Sequence, residues 1–524
     1  MKNYVYKKKT GYICLLISIM SLFLYRMILE ETGMGYAALA YLICMSVWML
    51  FGQGFADSTA RIVRVRLSKG QKKSALDVLS MSFACHFLAG LIGTALVAAL
   101  NFWLMSDVFN MPKGRFLGLY LCVFFFFRMM NEYLTGYASV SSGDRAICIS
   151  MVSRQLFRIV FGFLFMRMMF EKGAVNSALL MDDDIKFIYG ASGLFVGFCI
   201  AEVFVFVFLF IVRLGLKIKS NDERDGFGGR DNFGVVIFNL LKRRVGDACL
   251  GLSICLLLIF WAAQAGDVRG IGLSVYMLLS PFAFSLLFAL FSGALSGANW
   301  MQSVRKSEKG NARAYFDFGM HIVCIVSVFI TAFFASVSKP VAKILAEGIE
   351  VNLTTEFILI ITASIMLSMA MYCDSLCAGR DDRIPRVIAH VASGFAGILT
   401  VKLSTGEGHN MYKGLMISIL VYSLIELIIW CVITYVRMSM VFDPLRNILI
   451  PIVSGAVTAI FLVIITNAAA AHLGNLFTVV ICIPIGLIIY HSVLLLLRNY
   501  SDAELKLMPF GGILYSLGQI LKVI

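Results

Sequence analysis

Fourteen apolar runs, each about long enough to cross a bilayer, follow one another along the chain. They lie at about 11–29, 35–57, 77–105, 116–139, 148–170, 187–212, 244–264, 270–298, 314–337, 353–377, 385–403, 411–436, 447–468 and 473–497. At a rise of 1.5 Å per residue, about twenty residues cover the roughly 30 Å hydrocarbon core. In lipid the backbone must satisfy its own hydrogen bonds, and for unbroken runs of this length the helix is the form that does so. The spacing therefore predicts an all-α integral membrane protein of about fourteen transmembrane helices. Composition agrees, with 60% hydrophobic residues and 15% charged, against about 45–50% apolar in soluble domains.

The loops orient the spans. On the side that holds the N-terminus they carry 31 Lys and Arg, against 9 on the other side. An excess of cations marks the cytoplasmic side, so both termini are expected there. The net charge of +14 does not point to nucleic acid, because it is scattered through short loops rather than gathered on one face. Lys7, Lys8 and Lys9 open the first run as a signal peptide would, but no small-residue cleavage site follows, so 11–29 reads as an uncleaved helix. The thirteen cysteines lie almost entirely inside apolar runs, which reads as buried small side chains rather than a disulfide framework.

A weak internal repeat runs through the cytoplasmic loops. SKGQKKSALD (68–77) follows span two and EKGNARAYFD (308–317) follows span eight. GDRA (143–146) follows span four and DDRI (381–384) follows span ten. Glu202 precedes Arg213 as Glu426 precedes Arg437. The unit is six spans, so two lobes in the same orientation, related by a pseudo-twofold axis along the membrane normal, are expected. The expected division is an N-lobe at 1–220, a linker and interfacial helix at 221–243, a C-lobe at 244–440, spans thirteen and fourteen at 441–500, and an interfacial helix at 501–524. Ser501 and Glu504 form a capping-box pattern for that last helix.

Charges within the spans are the candidate site. Arg26, Arg128, Arg154, Arg158 and Arg167 all fall in the first lobe, with none assigned to second-lobe spans. An arginine inside a span is costly and needs a partner or a ligand. Arg154 and Arg158 share a helix face, and Arg128 has Glu132 one turn on. Arg167 lies near an outer end, where it can snorkel. A cluster of guanidinium forks in a wet cavity suits a phosphorylated anion, so Arg26, Arg128, Arg154 and Arg158 are the expected phosphate ligands. Glu132, Glu202, Asp247 and Glu426 are the acids expected to pair with them or to bind a coupling cation. Asp57 and Asp374 lie near span ends and are expected in solvent. His86, His321, His390 and His491 read as packed or hydrogen-bonded. No GxxxxGK[ST], HExxH or GxSxG pattern occurs, and no large soluble domain is present to carry an enzyme's chemistry.

LYRMILEETGMGYAALAY, GQGFADSTARIVRVRLSKGQKKSA, EYLTGYASVSSGDRAICISMVSRQLFRI and DAELKLMPFGGIL together resemble the stage V sporulation protein B and polysaccharide-flippase group. That group belongs to the multidrug/oligosaccharidyl-lipid/polysaccharide (MOP) exporter superfamily, with MATE drug antiporters and MurJ-type lipid II flippases. The resemblance implies two six-helix lobes working by alternating access in a bacterial cytoplasmic membrane. It implies a cargo of undecaprenyl-type lipid-linked oligosaccharide or peptidoglycan precursor. Membrane lipids and polysaccharide or cell-wall biosynthetic enzymes are the expected partners. No cofactor is expected beyond a coupling cation, H+ or Na+. The alternatives are a cation-coupled multidrug antiporter, which needs an acidic cleft, and a non-transporting membrane scaffold. One departure is SGALSGANW (292–300), where the group carries a proline.

Overall fold

A computed structural model describes residues 2–141, 143–215, 233–306, 312–345, 354–380, 383–404, 411–438, 443–501, 504–505, 508 and 511–521. The helices are α1 (Lys2–Phe51), α2 (Phe55–Ser68), α3 (Lys72–Trp103), α4 (Leu117–Val140), α5 (Asp144–Leu180), α6 (Asp184–Gly215) and α7 (Phe233–Ala265). There follow α8 (Val268–Ser274), α9 (Ser280–Lys306), α10 (Ala312–Leu345), α11 (Thr354–Arg380), α12 (Arg383–Ser404), α13 (Met411–Met438), α14 (Ile450–Leu496) and α15 (Gly511–Ile520). Thirteen described stretches are long and apolar enough to cross a membrane. The first, Lys9–Ser68, covers the first two of the fourteen windows and breaks at Glu30 (φ 52°, ψ −160°). The protein is thus an all-α, multi-pass membrane protein. Gly474 divides α14 in the same way, with φ 75° and open space where a side chain would stand, so glycine serves there for its backbone freedom.

The chain divides by contacts into two compact units, Met1–Val275 with Arg380–Leu415, and Tyr276–Gly379 with Met416–Ile524. In the first unit α5 and α6 are the most closely joined pair. A Cβ on Gly197 would fall on the backbone of Gly162, and one on Gly193 would strike the Phe165 carbonyl. Small residues at this spacing let two membrane helices meet backbone to backbone. Gly35 and Gly272 do the same where α1 crosses α8: the Val268 and Glu31 carbonyls occupy the space that side chains would need.

In the second unit α10 packs on α14 through Ile325, Val328, Tyr490 and Leu494, and the Tyr490 hydroxyl donates to the Ile325 carbonyl at 2.9 Å. The Ser501–Glu504 capping box forms: the Ser501 amide donates to Glu504 Oε2 at 2.9 Å and the Glu504 amide to Ser501 Oγ at 3.4 Å. Glu504 also meets Arg446, and His321 Nδ1 lies 3.6 Å from its other oxygen. Burial opposes charge on Glu504, yet these neighbours hold its carboxyl down at about 2.

Several expectations change. The interfacial helix expected at the end of the linker is continuous with the seventh span in α7. Asp374 is buried, at 5% exposure, rather than solvated, whereas Asp57 is exposed. Arg244 and Arg386, counted with the loops by sequence, are buried as well. The linker at 216–232, Lys309, Gly310, Asp381 and Asp382 of the repeat, and the Arg437 side chain lie outside the described residues.

Candidate functional site

Glu202 sits on α6 and has no exposed surface. Three arginines from two neighbouring helices converge on one of its carboxylate oxygens. From α5, Arg158 Nη2 lies 2.5 Å and Arg154 Nε 3.2 Å from Glu202 Oε1. From α4, Arg128 Nη1 lies 3.7 Å from the same atom. The second oxygen accepts from Asn131 Nδ2 of α4 at 2.8 Å, and that amide also reaches the Glu202 backbone carbonyl at 3.0 Å. Helical spacing builds this arrangement: Arg154 and Arg158 are one turn apart, as are Arg128 and Glu132, with Asn131 between the latter two.

Glu132 takes a share of Arg128 at 3.5 Å. Among the described residues the cluster therefore brings together three guanidinium charges and two carboxylates, one cation in excess. Aromatic faces take up part of the remaining field. Arg158 stands 5.2 Å from the Phe124 ring and 5.3 Å from Phe198, and Arg128 stands 5.1 Å from Trp48. The Arg154 and Arg158 side chains are only 10% and 11% exposed, so water does little to screen them. From α1, the Tyr25 hydroxyl donates to the Arg158 carbonyl at 3.3 Å and Ser18 donates to Gln155 at 3.0 Å, which ties the first span to α5.

Arg26 meets Glu31, five residues on, at 3.4 Å. The pair exists because the helix breaks at Glu30; an unbroken helix would place position i+5 well round the cylinder. The other candidate acids stand elsewhere. Asp247 accepts from Arg386 of α12 at 2.6 Å, and Glu426 accepts from Trp430 on its own helix at 2.8 Å. Beside Asp247, Arg244 donates to the Leu50 carbonyl and stands 4.9 Å from the Phe55 ring, so α7 is fastened to the turn between α1 and α2. Sequence reading missed Arg244 and Arg386, although Arg244 and Asp247 sit one turn apart. Arg167 pairs with Glu171 at 3.2 Å and is largely exposed.

No family model matches the chain, and no curated protein matches it in sequence. Solved structures do match. An inward-facing multidrug-resistance transporter of the MATE family and MOP superfamily superposes with a TM-score of 0.58 at 14% identity, over 82% of this chain and 94% of that one. The chain has the fold of the MOP-superfamily transporters. The lipid II flippase MurJ, in an inward closed conformation, superposes on this MOP fold with a TM-score of 0.58 at 12% identity, over 92% and 99% of the two chains. A MOP transporter from Pyrococcus furiosus, described as having a binding pocket of reversed polarity that suggests a different function, gives 0.54 at 15% identity over 83% and 96%. In the MOP-fold chain described here, the arginine cluster lies on helices α4 to α6, with Tyr25 and Trp48 of α1 against it.

Proposed function

We propose that the protein is a flippase for a lipid-linked sugar, carrying an undecaprenyl-type phosphate or pyrophosphate across the cytoplasmic membrane by alternating access. The observation that carries this reading is the cation excess at Glu202: three guanidiniums, one buried and two largely so, share one carboxylate oxygen. Guanidinium forks match phosphate geometry and stay charged at any physiological pH. Each phosphate of a lipid-linked sugar offers two non-bridging oxygens, as a carboxylate does, and so fits the same forks. The likeness in fold to the lipid II flippase MurJ supports the same class of cargo. In this reading Arg128, Arg154 and Arg158 receive the phosphate, Arg26 guides it past Glu31, both termini are cytoplasmic, and the lobes at 1–220 and 244–440 alternate around the cargo.

A multidrug-resistance transporter of the MATE family has the same fold, and the second reading is a cation-coupled drug antiporter. It requires an excess of acid around a cationic substrate, and the cluster carries the opposite balance. The deciding experiment reconstitutes the purified protein in vesicles and measures transfer of a fluorescent undecaprenyl-linked sugar between leaflets beside uptake of a cationic dye. Sugar-lipid transfer without dye uptake is expected. Dye uptake alone would overturn the reading.

A further inference from the structure

We infer that Glu202 is a proton-binding site that exchanges its counter-ions for a proton: when the cargo phosphate takes the three guanidiniums, the freed carboxylate takes up one proton. The inference rests on the flippase reading above and names what the same site does with charge. Glu202 is wholly buried, and its carboxylate is held by Arg128, Arg154, Arg158 and Asn131. A phosphate that binds these arginines competes for the same N–H donors, because both anions fit the guanidinium fork. Once its cations face another anion, a buried carboxylate is left charged in a poorly solvated place beside a second negative charge. Both conditions favour its protonated form.

The surroundings leave Glu202 as the group that responds. On α4 it faces Arg128, Asn131 and Glu132. On α5 it faces Arg154 and Arg158, which remain charged throughout. On α1 the nearby titratable groups are Tyr25, Tyr41 and Cys44, and on α6 itself Cys199; all are neutral at ordinary pH. Lys113, next to the start of α6, is engaged by Asp182 and Asp184. Glu132 lies 3.5 Å from Arg128 and its side chain is 17% exposed, so it keeps some water. Asp247 and Glu426 have partners that the cargo would not touch. The proton comes from water when the phosphate arrives and returns to water when it leaves and Glu202 re-engages its arginines. The coupling is to binding, from whichever leaflet the lipid enters.

The test is calorimetric titration of the purified protein in detergent with undecaprenyl phosphate at pH 8, in buffers of different ionisation enthalpy. At that pH the free phosphate monoester is a dianion, so its own proton uptake is small. Wild-type protein is expected to take up close to one proton per lipid bound, and its affinity to fall about tenfold per pH unit over the range in which Glu202 is ionised before binding. Glu202→Gln is expected to bind without that proton and with affinity nearly independent of pH. A wild-type count of zero overturns the inference without any variant, so it stays testable if Glu202→Gln does not fold. Equal counts in wild type and variant overturn it too, while leaving the phosphate cargo intact. Absence of binding in the wild type would instead remove the flippase reading, and this inference with it.

Discussion

The charge balance at Glu202 predicts which substitution harms the protein more. Glu202→Gln keeps a group able to accept from Asn131 but leaves Glu132 as the remaining carboxylate of the described cluster, so its charge rises from one excess cation to two. Removing one partner of a buried ionic network costs about 3–5 kcal/mol, mostly from the uncompensated charge left behind. Arg158→Met removes the closest arginine, at 2.5 Å, yet leaves Arg154, Arg128 and Asn131 on the carboxylate. It loses a charge-assisted hydrogen bond of about 1.5–3 kcal/mol. Relief of repulsion among the arginines, and methionine packing against Phe124 and Phe198, offset part of that. A net cost of about 1 kcal/mol is expected. The double variant returns to one excess cation, so its cost should fall short of the sum of the single costs by about 1.5 kcal/mol or more. The assay is thermal unfolding in one detergent, followed by tryptophan fluorescence and by retention on size exclusion. Strict additivity, or a greater loss for Arg158→Met than for Glu202→Gln, would refute the charge argument.

Three further outcomes are expected. Arg26→Lys should retain partial lipid transfer and Arg26→Met should lose it while the protein remains folded; full transfer by a stable Arg26→Met protein would show that this arginine does not serve the cargo. Glu504, held at about 2, contributes stability that is complete above its unfolded pKa near 4.5 and is lost as pH falls from there towards 2. That contribution is about 3 kcal/mol, so Glu504→Gln should lower the melting temperature at pH 7 and flatten its decline below pH 5, as a melting series from pH 3 to 8 would report. Gly272→Ala would push a methyl group onto the Glu31 carbonyl and should destabilise the protein by roughly 1–3 kcal/mol, with an unchanged melting temperature counting against the close approach.

Hydropathy revealed the spans because lipid imposes length and polarity on every helix independently of its neighbours. The break between the first two spans was legible from the polar Glu30, Glu31 and Thr32, and the Ser501–Glu504 cap from a local three-residue pattern. That Glu202 meets span arginines was legible from the charges inside the spans; which three it meets was not. Its closest arginine is 44 positions away in sequence, and which helices meet depends on glycine contacts that carry no pattern across such distances. The repeat placed Glu202 alongside Glu426, yet Glu202 meets arginines whereas Glu426 meets Trp430. Arg244 and Arg386 fall at span ends, where the hydropathy signal is weakest and a charge looks like part of a loop; their burial comes from each other's neighbourhood, through Asp247 and Phe55.

The glycine contacts between α5 and α6 have a mechanical consequence. Two helices whose backbones meet at Gly162, Gly193 and Gly197 are packed too closely to admit side chains between them, and are expected to travel as one plank. Arg154, Arg158 and Glu202 are bolted to that plank, two on one board and one on the other. Whatever pries the carboxylate loose must therefore come from outside it. The sides free to give are α4, which brings Arg128 and Asn131, and the first span, which leans on the plank through Tyr25 and Ser18. On the flippase reading, a crosslink within the plank should leave lipid transfer in vesicles intact, whereas one between α4 and the plank should abolish it.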